Sequence, residues 1–386
     1  MFFLSSIAGC GSVTEETGPA PTPSDSPNPI FSADVNNPQG NTAFVLGSDF
    51  QTIGTYATLT LEETPQVSPN LGTTHTDAVV RSFNNLLYIV NRKGQDNIQV
   101  VDPKQGYKTI SQFSVGRGTD PHDILVLNPT TAYITLYEPE ANNSTFTVDD
   151  LLVVNPQTGI ITQTIDLTPY ADSDGEPLAR ADRILWINGK LFVSIQDLAE
   201  DFKVTTEGKI LVINPTTGKV EKVIRLSGRN PFDIKYSPSR KKIFVSLADF
   251  FNNTSPYGGI EVVDTQSLNS RGILISDNQL GGAPADIELN TKVGYVVVGS
   301  YRDGNRFETS VVRFDPDAGP AAPFKTVYQS AAYIPDIALL GDLLIVGDSD
   351  PANGGVFLLD AETEAPVAGP ISVGPPPVAI TFFNRP

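Results

Sequence analysis

The sequence predicts an all-β fold, a seven-bladed β-propeller of four-stranded antiparallel blades, on three observations. One segment recurs seven times in phase, Gly and Pro punctuate short apolar runs, and the last copy stops after its first strand. The 386 residues include 32 Gly and 31 Pro, and 40% are hydrophobic, enough for a substantial core. No long stretch repeats apolar residues at helical spacing.

Each copy opens on a Pro or small residue, carries a polar residue third, usually Asp, and continues as an apolar strand. The copies are HTDAVV (75–80), PHDILV (121–126), ADRILW (181–186), PFDIKY (231–236), PADIEL (284–289), IPDIAL (334–339) and PVAITF (377–382). Their third positions are Asp77, Asp123, Arg183, Asp233, Asp286, Asp336 and Ala379, about 50 residues apart. A second strand follows, as in LLYIVN (86–91) and KIFVSL (242–247). A third ends in a turn such as VVDPKQG (100–106), VVNPQTG (153–159) or VINPTTG (212–218). Asp or Asn before Pro, with Gly following, is strong turn chemistry. A fourth strand, as in KVEKVIRLS (219–227), completes the unit. Four such strands repeated around an axis make a propeller blade.

The seventh copy supplies only an inner strand, in PVAITFFNRP. NTAFVLGSD (41–49) and TYATLTLEE (55–63) at the other end stand as its missing partners. Joining the two ends would close the ring and leave no exposed sheet edge.

SVGRGTDPHDI, LSGRNPFDIKYS, LLYIVN, LVINPTTGKV and ISVGPPPVAI recur in phase, and over about residues 40–386 the chain resembles the YVTN-type β-propellers of bacteria. Repeats of that type read roughly G-x-x-P-x-x-I, a Tyr-Val strand and a V-I-D-x-x-T-G turn. The resemblance implies a fold more than an activity, because this scaffold hosts binders, lactonases and proteins of other kinds.

The N-terminus speaks to address. MFFLSSIAGCGS resembles the end of a bacterial lipoprotein signal, with Ile7, Ala8 and Gly9 leading to Cys10, although the usual basic n-region is missing. The resemblance implies a signal remnant over 1–9 and lipidation of Cys10. Residues 10–40, rich in Pro, Ser, Thr, Asn and acids, read as a disordered tether. The propeller then spans 41–386. Gly11 is not the aspartate that retains some lipoproteins in the inner membrane, so the implied address is the outer membrane or cell surface. The partner expected from this is a membrane, reached through the lipid.

Charge and absences narrow the function. The net charge of −18 opposes nucleic-acid binding, where Lys and Arg must neutralise phosphates. One cysteine allows neither an internal disulfide nor a cysteine metal cluster. There is no GxSxG, HExxH or P-loop, and a single tryptophan, Trp186, counts against a quinone-dependent propeller dehydrogenase.

Three groups of residues could carry chemistry. If each third position opens an inner strand, Asp77, Asp123, Asp233, Asp286 and Asp336 gather with Arg183 at one mouth of the channel. Two carboxylates about 8 Å apart repel by about 2 kcal/mol at an effective dielectric near 20, so such a ring needs compensation. A residue repeated in every blade first suggests stitching between blades; a ligand or cation at the mouth is the functional alternative. His75 and His122 lie beside the ring and could bind metal or act as bases. Asp172, Asp174 and Glu176 alternate around Gly175 and could offer oxygens to calcium, although the loop lacks the length and closing Glu of an EF-hand. A divalent cation, calcium or another, is the cofactor these positions would take. The expected function is a cell-envelope binding or scaffolding module for a protein, small ligand or cation. The rival is a lactonase-like hydrolase with an acidic, metal-dependent site at the channel mouth.

Overall fold

The computed structural model describes residues 40–384, apart from 139–149, 173–177, 200–202, 205, 250–254, 303–305 and 320–322. Cys10 and the tether lie outside the described residues, as do Asp174 and Glu176. Among the described residues, the strands form seven sheets of four antiparallel strands each. No helix among them is long and apolar enough to cross a membrane.

The inner strands are Ala78–Phe83, Pro121–Asn128, Ala181–Ile187, Pro231–Ser237, Ala283–Leu289, Asp336–Leu340 and Pro377–Phe383, in blades one to seven. Each packs on the next, and the seventh packs on the first, which closes the ring around a channel. Second strands such as Lys190–Ile195 and Lys242–Leu247 are buried beyond their first residue, because neighbouring blades cover both of their faces. That is why they read as unbroken apolar runs. The outermost strand of blade one, Lys108–Ser114, is mostly exposed and mostly polar.

The core lies between blades. Tyr88, Ile98 and Val100 of blade one pack with Ile124, Ile134 and Val154 of blade two, and Ile210 and Val212 of blade three with Ile234 and Val245 of blade four. The repeated turn has one geometry in blades one to three. Asp102, Asn155 and Asn214 each accept a bond from the backbone N–H two residues on, at 2.8, 2.9 and 3.0 Å. Gly106, Gly159 and Gly218 then take φ of 69, 71 and 67°, which favours glycine.

The seventh blade joins the two ends of the described chain. Pro377–Phe383 pairs antiparallel with Thr42–Ser48, from Thr42 opposite Phe383 to Gly47 opposite Pro377. Gly54–Thr60 follows as expected, and Val67–Thr74 adds a further outer strand that the sequence pattern did not reveal. Val67–Thr74 is polar, half-exposed and interrupted by Pro69, so it carries little hydrophobic periodicity.

Candidate binding site at the channel mouth

Side chains alternate along each inner strand, so residues two apart face the channel together. Asp123, Asp233 and Asp336 pair with the fifth residue of their blade's second strand: Thr135, Ser246 and Gly347. Arg183 and Asp286 complete this row with Ala379. Two residues deeper, a second row holds Arg81, Lys235 and Glu288. Both rows line one cavity of about 310 Å³.

Asp77 is not a member of the row, contrary to the alignment of HTDAVV. In blade one the row position is Val79, opposite Val90, the fifth residue of its second strand. Asp77 precedes the strand, keeps a side chain 53% exposed at the cavity rim, and meets Arg92 Nη1 at 3.3 Å. His75 is placed further out, where its Nδ1 is 2.9 Å from the Asp77 carbonyl oxygen. The apolar pattern cannot distinguish these registers, because Ala78, Val79 and Val80 all suit a strand.

Four row aspartates tie one blade to the next. One carboxylate oxygen each of Asp123, Asp233, Asp286 and Asp336 accepts from the N–H of Ile184, Ile287, Ile337 and Ile380, at 3.3, 3.2, 2.7 and 2.5 Å. Arg81 Nε meets Asp123 at 2.8 Å, Arg183 Nε meets Asp233 at 3.2 Å, and Lys235 Nζ meets Glu288 at 2.5 Å. The acidic ring is thus compensated by three cations, two of them in the deeper row.

Asp286 and Asp336 have no such cation. Burial raises both carboxyls, Asp286 well above the ordinary range, where the charges of Asp336 and Asp233 add to the rise. A hydrogen bond from Asp286 partly offsets the rise at Asp336. Burial likewise pushes Glu288 up to about 7 against the pull of Lys235. Burial disfavours the Arg183 and Lys235 charges, but their acidic neighbours outweigh it and raise both above their ordinary values.

His122 sits one residue before the row and is fully engaged. Its ring stacks on Tyr137 with centroids 4.0 Å apart, and its Nδ1 is 2.9 Å from Asp182 Oδ1 and 2.9 Å from Arg92 Nη2. Gln196 donates to Asp182 at 2.7 Å and accepts from the Tyr137 hydroxyl at 2.5 Å. Burial works against the Asp182 charge, but Arg183, His122 and Arg92 prevail and lower its pKa to about 2. Among the described residues, no group of three or more His, Cys, Asp or Glu is arranged to hold a metal.

Asp172 is held elsewhere and by cations. Its Oδ2 lies 2.9 Å from Arg225 Nη1 and 3.4 Å from Lys209 Nζ.

Two buried polar atoms at the cavity lack partners, Arg92 Nε and Glu288 Oε2. Phe50, Phe232 and Tyr333 supply aromatic surface around them. The cavity therefore offers donors, acceptors and ring faces to one occupant. Sequence reading missed Arg81, Lys235, Glu288, Arg92 and Asp182. Counting two residues onward from each third position finds Lys235 and Glu288; Arg81 also needed the corrected register of blade one.

Solved structures share this architecture at low identity. A protein from Lactobacillus plantarum superposes with a TM-score of 0.63 at 15% identity, covering 89% of this chain and 99% of that one. A Bacteroides fragilis protein provisionally assigned as a 6-phosphogluconolactonase gives 0.60 at 13%, covering 89% and 97%. Kuenenia stuttgartiensis hydrazine synthase gives 0.56 at 15%, covering 74% and 76%. The shared property is the fold. No family model matches the sequence, and no curated protein does.

Proposed function

We propose that the protein is a binding protein whose channel mouth captures a small polyhydroxylated ligand of the sugar or sugar-acid class. The observation that carries this reading is the unpartnered buried Arg92 Nε and Glu288 Oε2 around a cavity of about 310 Å³ that Arg183 also lines. Buried donors and acceptors without partners are costly, and a ligand bearing hydroxyl and carbonyl groups satisfies both kinds together. Aromatic faces beside charged donors suit the apolar and polar sides of a sugar ring.

Calorimetric titration with a panel of sugars, sugar acids and their lactones tests the reading. A binder is expected, with affinity reduced at least tenfold in Arg183→Met and Glu288→Gln. Absence of binding across the panel, or binding unaffected by both substitutions, defeats it.

One observation favours a second reading, a hydrolase acting on a sugar lactone. Asp286 and Asp336 line the same cavity with carboxyls that burial raises, which suits an acid/base couple. The likeness to a protein provisionally assigned as a 6-phosphogluconolactonase points to the same substrate class. Proton release on adding lactones to wild type, lost in Asp286→Asn, would establish hydrolysis.

We also propose that the protein is anchored at the cell envelope through Cys10. Cys10→Ala is expected to move the protein from the detergent phase to the aqueous phase of a membrane extract.

A further inference from the structure

Blades three and four repeat one loop arrangement but differ in charge. The second strand of blade three continues as Ser194-Ile195-Gln196-Asp197, and that of blade four as Ser246-Leu247-Ala248-Asp249. Asp197 donates its N–H to Ala179 and Asp249 to Arg229, and both take positive φ, 54 and 42°. Both are buried, at 0% and 1% exposure.

In blade three the buried carboxylate is neutralised from within. Lys209, which pairs with Ile195 across the sheet, contacts Asp197 with its ammonium and brings Asp172 to the same charge. Thr206 Oγ1 adds a bond to Asp197 at 2.9 Å. In blade four the residue at the Lys209 position, opposite Leu247, is Gly259, which has no side chain to offer.

Blade four nevertheless assembles two buried carboxylates. Asp277 is 0% exposed; its Oδ2 accepts from Ser255 N–H at 2.7 Å, and its Oδ1 has no partner. Neither Asp249 oxygen has a hydrogen-bond partner. Asn230, also 0% exposed, donates its amide to the Asp249 carbonyl at 2.9 Å and leaves its own Oδ1 without a partner. Backbone bonds bring the two segments together: Asp249 N–H donates to Arg229 at 3.3 Å, Arg229 N–H to Tyr257 at 2.9 Å, and Asp277 N–H to Gly258 at 3.2 Å. Neighbouring Arg229 stacks over the Tyr257 ring at 3.8 Å, and no ion pair among the described residues involves Asp249 or Asp277. Every orphaned side-chain atom on these three residues is an oxygen.

We propose that blade four holds a hard divalent cation, calcium, on the Asp249 carboxylate, Asp277 Oδ1 and Asn230 Oδ1, in the role the Lys209 ammonium plays in blade three. Oxygen-only donors suit calcium rather than zinc or copper, which favour nitrogen and sulfur. Two carboxylates balance its charge, and the amide oxygen fills a further position. The site is separate from the channel mouth and does not depend on what binds there.

The test uses the full chain stripped with a chelator and then titrated with calcium chloride. Calorimetry is expected to find one ion per chain, and calcium to raise Tm over that in chelator. Asp249→Asn and Asp277→Asn should each weaken calcium binding at least tenfold. Asp172→Asn in blade three should leave it unchanged. Wild type that shows neither binding nor a calcium-dependent Tm overturns the proposal. Calcium bound with unchanged affinity by Asp249→Asn also overturns it, by placing the ion elsewhere. Should a variant fail to fold, the wild-type comparison of calcium with chelator still decides.

Discussion

Glu288 and Arg183 show how the channel sets the protonation of single residues. Glu288 has a folded pKa near 7, raised by burial above an ordinary value of 4.5. Its contribution to stability is therefore complete below about 4.5 and is lost as pH rises through about 7, at a cost on the order of 3 kcal/mol. Asp286 and Asp336 are raised as well and act with the same sign. Asp182 acts oppositely: with a folded pKa near 2, its contribution is present above 3.8 and is lost as pH falls through about 2. Urea unfolding between pH 4.5 and 7.5 should show stability falling as pH rises, with a shallower fall in Glu288→Gln. An equal slope in that variant would remove Glu288 from the account. Arg183→Met should cost about 3–5 kcal/mol at neutral pH, because it leaves Asp233 and Asp182 buried without that cation.

At the scale of the strand, the row aspartates act as clips between consecutive inner strands, and the substituted atom decides the cost. Asp123 accepts from Ile184 N–H of the next blade, from its neighbour Ile124 N–H at 2.8 Å, and pairs with Arg81. Asp123→Ala removes all three interactions at once and should cost about 2–4 kcal/mol by chemical denaturation. Asp336→Asn keeps an acceptor for Ile380 N–H, so less than about 1 kcal/mol is expected. These clips also explain what the sequence revealed. Four of the seven blades place an acceptor at this point, so Asp recurs there and the repeat is readable from the sequence. The compensating cations follow no such rule. Arg81 serves Asp123 from the preceding blade, Arg183 occupies a row position itself, and Lys235 serves Glu288 of the following blade. Any geometry that delivers a positive charge to the channel suffices, so the cations share no motif. In blade one, where Val79 replaces Asp, the apolar pattern alone could not fix the register, and Asp77 was assigned to the row from that ambiguity.

Across the whole molecule, stability depends on joining the ends. The inner strand Pro377–Phe383 pairs with Thr42–Ser48 and packs on the inner strands of blades one and six. Its side chains serve two interfaces: Ile380 and Phe382 face the core shared with blade six, and Phe383 the core shared with blade one. Phe383 is 1% exposed and meets Phe44 and Tyr107 edge-on, with centroids 6.3 and 6.1 Å apart. Phe383→Ala should lower stability by about 3–5 kcal/mol while the ring still closes, giving one cooperative thermal transition at reduced Tm. Ending the chain after Pro376 is a different change. It removes the interblade contacts on both sides and uncovers the ladder edge of Thr42–Ser48, whose residues are all buried in the intact protein. Light scattering should find the shortened chain aggregated, with no cooperative transition by circular dichroism. A soluble, cooperatively melting product would show that six blades and three N-terminal strands suffice, and that the terminal pairing is dispensable for the ring.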